Sequence, residues 1–409
     1  IWTSKQPVTC AQWSIGAQPA ASRRLSWRPV MPGAGRYNSA MTTPSNSPAA
    51  GTTVLVGLSG GVDSAVAALL LKRARYNVQG LFMSNWEEDE DGYCTTARDL
   101  QDARAIAAEL AIPLHVVSFA AEYRQRVFDY FLREYRAGRT PNPDVLCNRE
   151  IKFGVCLTHA RRLGAAWFAT GHYARLNHSA DGIALLKSRD LTKDQSYFLH
   201  AVAREHFERV LFPLGELNKT EVRGLAREAG LPVFDKPDST GICFIGERPF
   251  RQFLANYVEE SPGPILTYSG DRLGTHRGLA FYTLGQRSGL EIGGQAGKAE
   301  DPWFVASKDL ARNALLVVQG HDHPLLASRA VETEAFHWLA PPPVKNLAAH
   351  AKLRYRQADQ PCEVIIIDNQ GVRLNFTTRQ RAVTPGQFAV LYEGERCLGG
   401  GVIQTASAA

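Results

Sequence analysis

At 409 residues the chain is too long for one compact core and is expected to divide into two or three domains. Its 44% hydrophobic and 21% charged residues are ordinary for a globular protein, and no apolar run approaches the roughly 20 residues a membrane span needs. Five of the positive charges behind the net +6 (Lys5, Arg23, Arg24, Arg28 and Arg36) lie in the acid-free residues 1–50. The remainder is nearly neutral, so bulk charge argues for no nucleic-acid partner and any basic surface must be local.

Residues 1–50 are rich in Ala, Ser, Pro and Arg, with neither helical nor strand period. They read as a transit peptide or, preferably, as upstream sequence translated ahead of Met41, and stand outside the fold. A cytoplasmic location is expected, a mitochondrial one if the leader is genuine.

From Thr52 strands and helices alternate. Val54–Gly57, Val78–Met83, Leu114–Phe119 and Ala166–Ala169 are short apolar runs, and 64–75, 100–110, 122–136 and 151–163 have helical spacing. Continuous apolar strands between amphipathic helices predict an α/β domain with a doubly wound parallel sheet over residues 51–215. A small central domain is expected over 216–325, with helices at 219–229 and 249–259 and then a glycine-rich stretch of tight turns. Strand-like runs at 352–355, 362–367, 372–377 and 388–392 predict a C-terminal β-barrel over 326–409.

Between the first strand and first helix lies Gly57-Leu58-Ser59-Gly60-Gly61-Val62-Asp63-Ser64. Adjacent glycines let backbone approach an anion, the helix start offers N–H groups, and both serines add hydroxyl donors. The Walker lysine is missing, so Mg²⁺ with Asp63 as ligand or orienting group is expected to offset phosphate charge. The seven cysteines are scattered, form no C-x-x-C pair, and fit a reducing compartment without a zinc site. Cys147, between two prolines and Asn148, and Cys243, in Asp238–Gly246, lie in turn-rich segments suited to reactive thiols. Cys156, Cys362 and Cys397 read as buried hydrophobes, and Cys94 stays ambiguous.

Ser59–Ser64 resembles the signature of the PP-loop ATP-pyrophosphatases, which cleave ATP between the α and β phosphates to adenylate a substrate. Argininosuccinate, GMP and NAD synthetases and RNA-thiolating enzymes share it. Leu81–Trp86, Thr140–Asn148, Lys193–Phe198, Asp238–Glu247, Thr283–Arg287, Arg354–Arg356 and Leu398–Gly401 together resemble the bacterial tRNA-specific 2-thiouridylase family, from about Thr52 to Gln404. The resemblance implies an adenine-nucleotide α-hydrolase-like fold and a tRNA-uridine 2-sulfurtransferase acting on wobble position 34 of the tRNAs for Lys, Glu and Gln. ATP would adenylate uracil O2, and a transient persulfide would deliver sulfur to C2, releasing AMP and pyrophosphate. Cys243 would carry the persulfide, Cys147 would attack it, freeing sulfide or leaving a disulfide, and Asp144 would serve as general acid or base.

By the same transfer Gly57, Leu58, Ser59, Gly60, Gly61, Val62, Asp63, Ser64, Met83 and Gly171 would surround ATP. Asn142, Pro143, Asp144 and His172 would meet the flipped base. Lys193, Asp194, Gln195, Arg354, Tyr355 and Gln387 would contact tRNA. A sulfur-relay protein or cysteine desulfurase would supply the persulfide, and the chain is expected to be a monomer. A small-molecule ligase using the same loop would need neither cysteine loop. An RNA-binding protein with a dead nucleotide pocket would not keep Ser59, Asp63, Ser64 and Asp144.

Overall fold

The computed structural model describes residues 48–86, 95–180, 182–238, 250–292, 301–342, 346–367 and 371–407. Five strands form the first sheet: Thr53–Gly57 (β1), Asn77–Ser84 (β2), Leu114–Ser118 (β3), Trp167–Ala169 (β4) and Val210–Leu211 (β7). All pair in parallel, in the order β3-β2-β1-β4-β7. The order reverses between β1 and β4, and at such a switch point the loops beyond the strand ends part to leave a crevice. Val62–Arg73 (α1) follows β1, with Val62, Ala65, Val66, Ala67, Ala68, Leu69 and Leu71 all buried. Burial on nearly every face explains why its sequence is apolar rather than amphipathic.

Thr95–Glu109 (α2) precedes β3. Two longer helices then break the ordinary hydrogen-bond ladder. Ala120–Tyr123, Arg124–Phe128 and Asp129–Arg136 run on as one helix (α3) whose middle part is π-helical. Pro143–Leu146, Cys147–Val155 and Cys156–Arg162 form a second (α4), again π-helical in the middle. The spacing at 151–163 predicts a helix beginning only after Cys147. Instead it starts at Pro143, because the Asn142 side chain accepts from Asp144 N at 3.2 Å and proline suits the first helical position. Cys147, expected on a rigid loop, is therefore a helical residue, and it is fully buried at 0% exposure.

Lys219–Glu228 (α5) and Phe250–Ala255 (α6) lead into a central sheet. Its strands are Gly263–Thr267 (β8), Arg272–His276 (β9), Trp303–Asp309 (β10) and Ala314–Gln319 (β11), in the order β10-β11-β8-β9. The last part comprises Ala327–Trp338 (β12), Leu347–Lys352 (β13), Gln360–Ile367 (β14), Gly371–Arg381 (β15), Phe388–Glu393 (β16) and Arg396–Ser407 (β17). They pair as β12-β15-β14-β13-β16-β17, and β17 returns to β12, closing a six-strand barrel.

The strand expected at 352–355 lies earlier, as β13. Arg354 O accepts from Gln357 N and Arg356 has φ +64°, so the chain turns there. A hairpin from the first half of the chain, Ala174–Ser179 (β5) and Gly182–Lys187 (β6), adds to the barrel by pairing Leu186 with Arg396. Leu55, Cys147, Tyr197, Ile265, Val317 and Val390 belong to one contiguous buried cluster, so the three sheets share a core. No helix among the described residues is long and apolar enough to cross a membrane.

Candidate active site

The glycine-rich loop sits where the sheet order reverses. It leaves β1 at Gly57, and Gly171 follows β4 on the neighbouring side. A Cβ at Gly171 would lie 2.8 Å from Asp63 C and Ser64 N, so only glycine lets the segment after β4 meet the first turn of α1 this closely. Gly60 adopts φ +77°, the left-handed conformation glycine tolerates. Ser64 Oγ donates to Gly61 O at 2.9 Å and accepts from Ser59 N at 3.2 Å, which curls the loop over the start of α1. Gly61 is the N-cap, so no N-cap side chain occupies the first-turn N–H groups of α1. These features fit a polyphosphate. Met83 is half-buried at the end of β2, against the shared core.

The cation that the loop lacks comes from elsewhere in the chain. Lys219, the first residue of α5, donates to both Asp63 oxygens at 2.7 and 2.8 Å, and Tyr173 Oη donates to Asp63 at 2.8 Å. Lys219 also reaches Asp238 at 2.8 Å, which in turn pairs with Lys193 at 2.6 Å and Arg223 at 2.7 Å. Burial opposes the Asp238 charge, but hydrogen bonds from Lys193 and Lys219 outweigh it and hold the carboxyl at about 2. Lys236 donates to Gly60 O at 3.1 Å while pairing with Asp99 and Asp102 at 2.9 and 2.5 Å. Nothing local to the loop sequence announces Lys219, Lys236 or Tyr173, because the contacts join residues far apart in the chain.

Asp144 and Cys147 lie one turn apart on α4, and Asn148 Nδ2 donates to Asp144 O at 3.0 Å, tightening that turn. Cys243 lies outside the described residues, as do Cys94 and Gly241–Gly246. The three cysteines read as hydrophobes are buried, and burial pushes Cys156, Cys362 and Cys397 each up to about 12, unreactive at neutral pH.

Residues 52–247 match the family model described as tRNA methyl transferase HUP domain. Residues 251–319 match its PRC-barrel domain, and 328–403 an aminomethyltransferase beta-barrel domain. The tRNA-specific 2-thiouridylase MnmA of Cupriavidus metallidurans is 56% identical over 87% of this chain and 99% of its own length. Its counterpart from Bordetella pertussis is 56% identical over 86% of this chain and 97% of its own. The chain belongs to the tRNA-specific 2-thiouridylase family.

The residues that thiouridylase resemblance assigns to the base and the tRNA occupy varied surroundings. His172 is 8% exposed, its Nδ1 is 2.8 Å from Thr170 Oγ1, and its ring lies beside Phe153 and Phe212. Burial first, then the Lys152 charge, holds its pKa well below the usual range, so it is neutral at pH 7. Arg354 is exposed, and Tyr355 packs on Phe198 with ring centroids 4.4 Å apart. Lys193 is half-buried in the Asp238 pair. Asp194 is only 3% exposed and accepts from Ser188 N, Ser196 N and Ser196 Oγ, so as folded it braces a turn. Gln195 exchanges two hydrogen bonds with the Tyr173 backbone. Gln387 donates to Thr140 O and Pro141 O at 2.8 and 3.3 Å.

Proposed function

We propose that the protein makes 2-thiouridine at wobble position 34 of the tRNAs for Lys, Glu and Gln, in two steps. The carrying observation is the phosphate-shaped loop at the sheet reversal, within a chain whose relatives are thiouridylases by name over nearly their whole length. In the first step uracil O2 attacks the α-phosphate of ATP, the α–β bond breaks, and pyrophosphate leaves. Gly57–Ser64, Met83 and Gly171 hold the nucleotide, and Mg²⁺ near Asp63 would share the phosphate charge with Lys219. This step makes C2 electrophilic by turning its oxygen into a leaving group.

In the second step the terminal sulfur of a persulfide on Cys243 reaches C2 and AMP departs. Cys147 attacks the Cys243 sulfur, either before transfer, freeing sulfide, or after it, and both routes end in a Cys147–Cys243 disulfide. Asp144 exchanges the proton beside the base, with Asn142 and Pro143 shaping its pocket. Neutral His172 suits a hydrogen-bonding rather than a charged role there. Cys147 is buried, so tRNA binding must uncover it. Arg354, Tyr355 and Lys193 are the side chains we assign to the tRNA. We further propose that residues 51–215, 216–325 and 326–409 act as catalytic, central and tRNA-contacting domains of a cytoplasmic monomer supplied by a cysteine desulfurase or relay protein.

ATP–pyrophosphate exchange with and without tRNA, followed by nucleoside analysis of the product, tests the reading. Exchange that depends on unmodified tRNA and 2-thiouridine in the digest are expected. Exchange driven by an amino acid or free nucleotide would overturn it. Cys147→Ser and Cys243→Ser should each abolish thiolation and keep ATP binding.

A further inference from the structure

The segment leading into the Asp144–Cys147 turn is gripped by parts of the chain far from it in sequence. On one side the central sheet contributes Lys308, whose Nζ donates to Gly138 O at 2.8 Å, and Thr283, whose Oγ1 is 3.4 Å from Thr140 Oγ1. On the other side the turn between β15 and β16 presses onto Thr140. Pro385 O accepts from Thr140 N at 3.0 Å, and Gly386, at φ +92°, would place a Cβ 3.0 Å from Thr140 N, C and O. Gln387 Nε2 then donates to the next two carbonyls, Thr140 O at 2.8 Å and Pro141 O at 3.3 Å. That turn is itself tied to β17, since Gly386 N donates to Ile403 O and Ile403 N to Gln387 O.

An amide nitrogen has two N–H donors, and here both are directed at loop carbonyls. Between this grip and Asp144 the chain is Pro141-Asn142-Pro143, in which two of three φ angles are fixed by proline rings. A displacement of Thr140 therefore passes almost undamped to the Asn142 cap and the start of α4. We propose that Gln387 is a positioning residue: through Thr140 and Pro141 the C-terminal barrel sets where Asp144 and Cys147 stand. The proposal rests on the thiouridylase reading for its chemistry, but the grip itself is independent of it.

The test compares Gln387→Ala with Gln387→Glu, which keeps the length but has no N–H to donate at neutral pH. Misplacement of reacting groups by about 1 Å costs on the order of 100-fold in rate. Both variants are expected to lose roughly 10- to 100-fold in kcat at saturating tRNA. KM for tRNA should stay within about twofold, because the donors are spent on the protein. Alkylation of Cys147, followed by peptide mass spectrometry without substrate, should quicken in both variants as the helix start loosens. Unchanged kcat with a raised KM would make Gln387 an RNA contact alone and overturn the proposal, as would unchanged kinetics and unchanged alkylation. Should Gln387→Ala fail to fold, the Glu variant and its alkylation rate decide. A wild-type chain that makes no 2-thiouridine would sink the function, whereas the alkylation comparison would still judge the grip.

Discussion

Lys219 holds Asp63 by both carboxylate oxygens and touches Asp238 with the same ammonium group. It is a shared counter-ion for two acids that would otherwise face each other and an incoming triphosphate. Replacing it with methionine keeps the stem but leaves both acids without it. A hydrogen bond to a charged group contributes about 1.5–3 kcal/mol, so ATP affinity should fall about 10- to 100-fold in Lys219→Met. Titration calorimetry with ATP and Mg²⁺ reads this directly. Unchanged affinity would mean that Lys219 staples α5 to the loop and nothing more. The loop was legible as a phosphate site because its glycines, serines and helix start are consecutive. Its cations were not: Lys219 and Lys236 look like solvated surface until the fold brings them to the loop, and Lys193 reads as a tRNA contact rather than a partner of Asp238.

Helix α5 presents Lys219 because of its first turn. The Asn218 side chain accepts from Glu221 N at 2.9 Å, and the Glu221 carboxylate accepts from Asn218 N at 2.7 Å, a reciprocal capping box. Asn218→Ala should cost about 1 kcal/mol in urea unfolding, and Asn218→Ser should recover most of it. An Ala variant as stable as wild type would show that α5 is held by packing alone. Element by element, the parallel strands β1–β4 were readable from apolar runs between turns. The start of α4 was hidden by the two prolines around Asn142, which read as a loop, although one of them opens the helix. The strand β17 was hidden by Gly399-Gly400-Gly401, since glycine runs lack strand propensity. In the barrel they are required: a Cβ at Gly399 would strike the His337 carbonyl, and one at Gly400 the His200 ring.

Across the molecule, four histidines are drawn out of solvent with little help from acids, Glu205 acting on His337 alone. Burial, with the Tyr197 carbonyl working against it, lowers His200 to about 3, and His172, His276 and His337 are also lowered, chiefly by burial. The unfolded chain takes up protons near pH 6.5 that the folded one refuses, so stability falls as pH drops below that value. For His200 alone the loss between neutrality and pH 5 is about 2 kcal/mol. Urea unfolding at pH 7, 6 and 5 should show a falling midpoint, and His200→Phe should flatten the trend. A midpoint independent of pH over that range would contradict the burial. The three-part architecture was visible from composition changes along the sequence. The shared core was not, because it depends on β5 and β6 leaving the first half of the chain to join β17.

That last strand carries a consequence for biosynthesis. β17 pairs with β12, β16 and β6, and it is the last of the described strands to emerge from the ribosome. Until it arrives, strands made much earlier wait with open edges that invite pairing with other chains. The Gln387 turn is tied to β17, so the grip on Thr140 also forms last. A nascent or prematurely terminated chain could therefore shape the crevice beside the glycine-rich loop while the start of α4 stays unset. The proposed sulfur-transfer step would become possible only once β17 has been made.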